Sequence, residues 1–192
     1  MGTPSSSPYD ALSRVLHWLT AVAVIAAFIL GPEGFGRLMR QGVDPATRIG
    51  IVWHESLGLL VLVLTLIRLI WVALRPRAPE FPMPAWMRRA SKAVHGLLWL
   101  LLLALPLTAL LALGGEGHPL TLLGGVRVEQ LPGITGSALG HLVDWGDVHG
   151  FLGDVLVSLA GLHALAALYH HAVLKDGVLA SMLPWLARRG AR

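Results

Sequence analysis

Four stretches of this chain are long and apolar enough to cross a bilayer, and they leave little sequence for anything else. They run from about residues 12 to 30, 49 to 73, 91 to 113 and 148 to 174. A helix needs roughly 20 mainly apolar residues to span the hydrocarbon core, so four of them with their loops use up 192 residues. Backbone in lipid has no water to bond to, which restricts a spanning segment to helix or closed barrel. The expected fold is therefore an all-α membrane protein, a bundle of four transmembrane helices forming one domain over residues 1–192. Composition agrees, with a charged fraction of only 14% and a mean hydropathy of +0.66. Gly31-Pro32 closes the first segment, because proline lacks the amide that a continuing helix needs. A cleavable signal would carry a basic start and a shorter apolar core. This segment follows Ser/Pro-rich sequence and contains His17 and Trp18, so it is expected to be retained.

The basic residues set an orientation. On the side of the N-terminus, the 74–92 loop and the C-terminal tail stand Arg14, Arg75, Arg77, Arg88, Arg89, Lys92, Lys175, Arg188, Arg189 and Arg192. Arg37, Arg40, Arg48 and Arg127 stand on the other. By the positive-inside rule both termini are expected in the cytoplasm of a bacterium, with the protein in its inner membrane. Trp18, Trp53, Trp71, Trp86, Trp145 and Trp185 fall near segment ends, as interfacial anchors should. A sequence pI near 10.3 does not imply nucleic acid, because the positive charges cluster at segment ends and not along one polar face.

Six histidines lie inside or at the ends of the apolar segments: His17, His54, His95, His149, His163 and His170. An ionisable side chain costs several kcal/mol in the membrane and usually faces the bundle interior with a task. Zero cysteines exclude disulfides, iron–sulfur clusters and covalently attached haem. His149 and His163 are 163 − 149 = 14 residues apart, which returns the second side chain to within roughly 40° of the first, about 21 Å along the axis. One helix thus presents a histidine in each leaflet on one face. Two stacked haems could be ligated there if other helices supply the second ligands, whereas tetrahedral zinc would need its ligands at one level. By depth, His54 lies level with His149 and His17 lies toward His163. His95 and His170 share that cytoplasmic half, so depth alone leaves the pairing open. Gly58, Gly150, Gly153, Ala160, Gly161 and Ala167 flank these positions; small residues there suit either a flat porphyrin or close helix packing. Arg68, 68 − 54 = 14 residues after His54, is expected to bind a haem propionate or to snorkel to the interface.

The run His17-Trp18, then Trp53-His54-Glu55-Ser56 with Arg68, Ala104-Leu105-Pro106 after His95, and Gly161-Leu162-His163-Ala164 leading to His170-His171 with Lys175-Asp176 resembles the bacterial cytochrome b561 family. The likeness covers all four segments and points to the superoxide:ubiquinone oxidoreductase, or superoxide oxidase, branch. It implies two b haems, one held by His17 and His163 on the cytoplasmic side and one by His54 and His149 on the periplasmic side. It also implies a ubiquinone beside His170, with Lys175 and Asp176 linking it to cytoplasmic water. The activity implied is electron transfer from periplasmic superoxide to ubiquinone. Arg37, Arg40 and Arg48 are the candidate superoxide-steering residues, although six periplasmic carboxylates, Glu33, Asp44, Glu116, Glu129, Asp144 and Asp147, oppose them. An electron-carrier subunit serving a periplasmic hydrogenase or dehydrogenase is the alternative, since fold does not separate the two. A haem-free transporter would need paired Gly/Pro-broken half-helices. Asp154 is open between a proton contact and an interfacial residue.

Overall fold

The structure, a computed structural model, describes residues 9–31, 37–38, 41–75, 79–183 and 185–186. Four helices form the bundle: α1 (Ala11–Ile29), α2 (Ile49–Leu74), α3 (Ala85–Glu116) and α4 (Trp145–Tyr169). A π-helical turn, His170–Leu174, extends α4, and a short α5 (Val178–Met182) follows. All four long helices have the length and hydropathy of membrane spans. The first two match the sequence expectation within a residue. The third begins at Ala85 rather than near residue 91 and ends at Glu116 rather than 113. Its added first turns carry Trp86, Arg88 and Arg89, side chains suited to the headgroup layer, where hydropathy falls but helix continues. The fourth begins at Trp145 because Asp144 caps it, accepting a hydrogen bond from the Asp147 amide at 2.9 Å.

Periodicity decides which face of each helix turns inward. On α1, Leu16, Thr20 and Ala23 are buried, while Val22 and Ile29 are 64% and 73% exposed. Apolar residues turned outward along a whole helix belong against lipid. The Thr20 hydroxyl is satisfied by the Leu16 carbonyl at 2.7 Å. Helix α1 packs chiefly on α2, and α3 on α4, and the two pairs meet more sparsely. At mid-bundle Ala23, Val61, Leu101, Leu102 and Leu156 form one apolar layer drawn from all four helices. Leu156 lies seven residues from each of His149 and His163 on α4 (156 − 149 and 163 − 156), so this layer separates the two histidine levels.

The segment after α3, whose shape the sequence does not disclose, is folded. Gly117, at φ 70°, ends α3 in the left-handed conformation that glycine tolerates. A two-stranded antiparallel hairpin follows, β1 (Leu120–Thr121) against β2 (Arg127–Val128), with Leu120 opposite Val128 and Thr121 opposite Arg127. Leu113, Leu120 and Leu131 bury one another beneath it. The chain then crosses the end of α3 so closely that a Cβ on Gly115 would lie 2.2 Å from the Gly140 carbonyl oxygen. Three polar ties hold the hairpin to α2 and the turn before it. The Thr121 amide donates to Glu55 Oε2, the Leu123 amide to Ser56 Oγ at 2.9 Å, and Arg127 pairs with Asp44 at 2.6 Å. Hydrogen bonds from the Ala46 amide and from Arg127 hold the Asp44 carboxyl below its ordinary value.

At the opposite end a polar cluster clasps α1 to α2. Asp10 caps α1 through the Ser13 amide at 2.8 Å, the Trp71 indole donates to Asp10 at 3.1 Å, and Arg75 donates to Ser13 Oγ at 2.9 Å. The Trp71 ring, expected as a lipid anchor, thus serves helix pairing as well.

Candidate functional site

The histidines gather into two groups, one on each side of the mid-bundle layer. Near the hairpin, His54 of α2 faces His149 of α4 with ring centroids 5.9 Å apart. At the other level His17 of α1 faces His163 of α4 at 6.4 Å. Each pair reaches across between the two helix pairs, where packing is sparse. A metal bonded at about 2 Å to one nitrogen of each ring puts facing imidazole centroids roughly 6 Å apart, so both separations fit a single bridging iron.

The hydrogen bonds of the first pair fix its tautomers. His54 Nδ1 donates to the Ala27 carbonyl of α1 at 2.8 Å, and His149 Nδ1 donates to the Leu105 carbonyl of α3 at 3.0 Å. A carbonyl can only accept, so each neutral ring carries its proton on Nδ1 and keeps a bare Nε2. This is the outer-shell arrangement that orients metal-ligating histidines. Sequence reasoning identified the rings but missed their partners, which are main-chain atoms. The Leu105 carbonyl also accepts from the Thr108 hydroxyl at 2.9 Å.

Space for a porphyrin accompanies the rings. A cavity of about 890 Å³ runs between His54 and His149 and is lined by Gly58, Gly150 and Gly153. A Cβ built on Gly58, Gly150 or Gly161 meets nothing within 4 Å, and one on Gly153 only just reaches Leu105. Close helix packing therefore does not account for Gly58 or Gly150, which line the cavity and leave room there for a flat ring against the backbone; Gly161, exposed on the bundle surface, is open to lipid. The residues present thus fit a b-type haem at the hairpin end, on tautomer, spacing and room together.

At the other level the arrangement is more crowded. His95 of α3 stands 5.0 Å from His163, and its Nδ1 donates to the Ser91 carbonyl at 2.7 Å. Arg68 directs Nη2 toward His17 Nδ1 at 3.4 Å and lies 4.7 Å over the Trp99 ring. Among the described residues no carboxylate pairs with Arg68. A 3.4 Å contact is a long hydrogen bond, which leaves most of the guanidinium fork open to an anion.

Beyond His163, His170 begins the π turn, and its Nδ1 donates to the Asp176 carboxylate. Asp176 also accepts from the Val178 amide at 3.2 Å. Lys175 between them adopts φ 51°, the one non-glycine residue in that region among the described residues. The turn is thus bent back so that His170 and Asp176 meet. Helix α5 closes this end, with the Trp18 indole donating to the Met182 carbonyl at 3.3 Å.

Of the three arginines expected to steer an anion, Arg37 lines the mouth of the cavity and Arg48 is exposed at the start of α2. Arg40 lies outside the described residues. The same cavity is lined by Glu55, Glu116, Asp144, Asp147 and Asp154, the last of them exposed on the bundle surface as well. Glu55 was quoted in the sequence motif without a role; it ties the hairpin to the helix that carries His54.

The family model described as prokaryotic cytochrome b561 matches residues 8–185. The chain is 29% identical over 184 residues to cytochrome b561 homolog 2 of Escherichia coli (strain K12), covering 94% of each chain. It is 31% identical over 180 residues to the probable superoxide oxidase CybB of Yersinia pestis, covering 92% of this chain and 96% of that one. Cytochrome b562 of Cereibacter sphaeroides is 31% identical over 179 residues, at 91% and 94% coverage. With four apolar helices of spanning length and a family match along nearly the whole chain, this protein belongs to the prokaryotic cytochrome b561 family, as a bacterial membrane b-type cytochrome that transfers electrons.

Proposed function

We propose that the chain is a di-haem superoxide:ubiquinone oxidoreductase of the bacterial inner membrane. The observation that carries this reading is the stacking of two facing histidine pairs, at 5.9 and 6.4 Å, along a single helix. In it both termini are cytoplasmic and the hairpin end is periplasmic, following the basic residues. His54 and His149 hold one haem, and His17 and His163 the other. A b haem held by each pair would supply a reversible one-electron couple. Two superoxide anions each lose one electron and leave as dioxygen, while ubiquinone gains two electrons and two protons to become ubiquinol.

The chain's own residues have distinct tasks in this scheme. The Ala27 and Leu105 carbonyls hold His54 and His149 in the ligating tautomer. Arg68 receives a propionate, exchanging its weak contact with His17 for a charge-assisted pair. Glu55, Ser56 and the Asp44–Arg127 pair keep the hairpin seated over the periplasmic mouth. On the cytoplasmic side, Asp176 holds the Nδ1 proton of His170, so that Nε2 can accept a second proton and donate it to a quinone carbonyl. Lys175 stands beside them at the water interface.

One observation favours a second reading. Five acidic side chains and a single described arginine line the cavity, a field that does not draw in an anion. An electron-carrier subunit receiving electrons from a periplasmic redox partner would be indifferent to that. Stopped-flow mixing of purified protein with superoxide, with and without ubiquinone, separates the two. Rapid haem reduction followed by quinone-dependent reoxidation supports the oxidase, and negligible reduction by superoxide supports the carrier.

A further inference from the structure

Three of the four candidate ligands have a nitrogen in contact with a polar partner, and the fourth does not. His54 and His149 use main-chain carbonyls, and His17 meets Arg68. Among the described residues no hydrogen bond reaches either nitrogen of His163. Its nearest aromatic neighbour is His95, edge-on at 5.0 Å and 79°. Two imidazoles joined by one N–H···N hydrogen bond of about 2.9 Å have centroids roughly 5 Å apart, whereas two rings bridged by a metal stand roughly 6 Å apart. At 5.0 Å the two rings meet edge-on with no hydrogen bond formed between them, near enough for the first case on a turn of either ring and too near for the second.

His95 is also prepared to accept. Its Nδ1 is committed to the Ser91 carbonyl at 2.7 Å, with the Ser91 hydroxyl at 3.3 Å from the same nitrogen. The neutral ring therefore carries its proton on Nδ1 and has a bare Nε2. His95 and Trp99 are four residues apart on α3, and Trp99 lies under Arg68, so His95 sits on the face of α3 turned to the same histidine level.

We propose that His95 is the positioning residue of His163, Nε2 of His95 accepting the ring N–H of His163 and leaving the other His163 nitrogen for iron. This rests on the bis-histidine reading above. It makes a chain from the Ser91 carbonyl through His95 to His163, the side-chain counterpart of the Ala27 and Leu105 carbonyls at the other level. A ligating imidazole that donates its ring N–H to an acceptor becomes more basic and favours the ferric state. Removing it should raise the midpoint potential of that haem alone.

The test uses the detergent-purified holoprotein with His95→Ala and His95→Gln. Spectroelectrochemical titration, low-spin EPR g-values and haem transfer to apomyoglobin are the readouts. His95→Ala should shift the potential and g-values of one haem upward or outward from wild type and speed its loss about 10–100-fold. His95→Gln, whose amide oxygen can accept, should recover most of both. Unchanged spectra and retention overturn the proposal, as does an equal response of both haems. Loss of one low-spin signal in His95→Ala, with that signal intact in His17→Ala, would make His95 a ligand and also overturn it. If wild type shows no bis-histidine signal, or His163→Ala keeps both haems, the underlying haem assignment is what has failed.

Discussion

Substituting Gly150 by alanine or leucine gives opposite results under the two accounts of that glycine. In the structure a Cβ at this position meets nothing within 4 Å, and the residue lines the cavity between His54 and His149. Gly150 lies inside α4, where glycine is less favourable than alanine by about 0.5–1 kcal/mol. Haem-free protein should therefore gain up to about 1 kcal/mol on Gly150→Ala, a rise of roughly 2–4 °C in Tm for a chain of this size. Gly150→Leu should likewise fold. Both place carbon where a porphyrin would lie against the helix, so haem content should fall, toward one per chain for the leucine variant. The assay is paired: thermal unfolding of protein produced under haem limitation, and haem-to-protein ratio by pyridine haemochrome after haem-replete growth. A lowered Tm in the haem-free form would mean the glycine serves helix packing. Undiminished haem content would mean the cavity is not the haem site. Either result refutes the reasoning.

Other substitutions probe the hairpin, the helix end and the proton route. Gly115→Ala must push a Cβ into the Gly140 carbonyl, and should destabilise by about 1–3 kcal/mol or more, seen as easier proteolysis of the 117–144 segment. Ser56→Ala removes the acceptor of the Leu123 amide, costs about 1 kcal/mol, and should speed hydrogen exchange at that amide without altering the spectrum of the haem-loaded protein. The Asp44 carboxyl is held below its ordinary value by the Ala46 amide and Arg127. Its contribution to seating the hairpin is thus full above about pH 4 and fades as pH falls through the lowered value; Asp44→Asn should show the looser exchange pattern at neutral pH already. His170→Ala and Asp176→Asn should leave haem content and reduction by dithionite unchanged while slowing reoxidation by quinone, and unaltered reoxidation would remove these residues from the quinone site.

What the sequence disclosed follows from what side chains can signal. The spans of α1 and α2 were legible because lipid-facing apolar runs stop sharply at Gly31-Pro32 and Arg75-Pro76. The start of α3 was not, because its first turns carry arginine and tryptophan suited to the headgroup layer and hydropathy marks only the hydrocarbon part. Histidine spacing on α4 placed two levels on one face, and the structure brings His54 and His17 opposite them. The carbonyls of Ala27 and Leu105 have no residue-type signature, so the devices that set the tautomers were invisible. The glycines admitted two explanations, and the emptiness around Gly58 and Gly150 argues against close packing within the bundle at those two positions. Arg68 stands at the level of His17, and its neighbours there, His17 and Trp99, come from other helices. The hairpin over residues 120–128 lies in a glycine-rich stretch whose strands are two residues each, too short for any periodicity to register.

The central claim, that α4 carries one ligand of each of two haems, is tested most directly by counting haems in His149→Ala and His163→Ala. Each variant should retain one low-spin b haem, and the retained haems should differ in midpoint potential between the two variants, because different sites survive. Two haems remaining in either variant, or the same haem surviving in both, would contradict it.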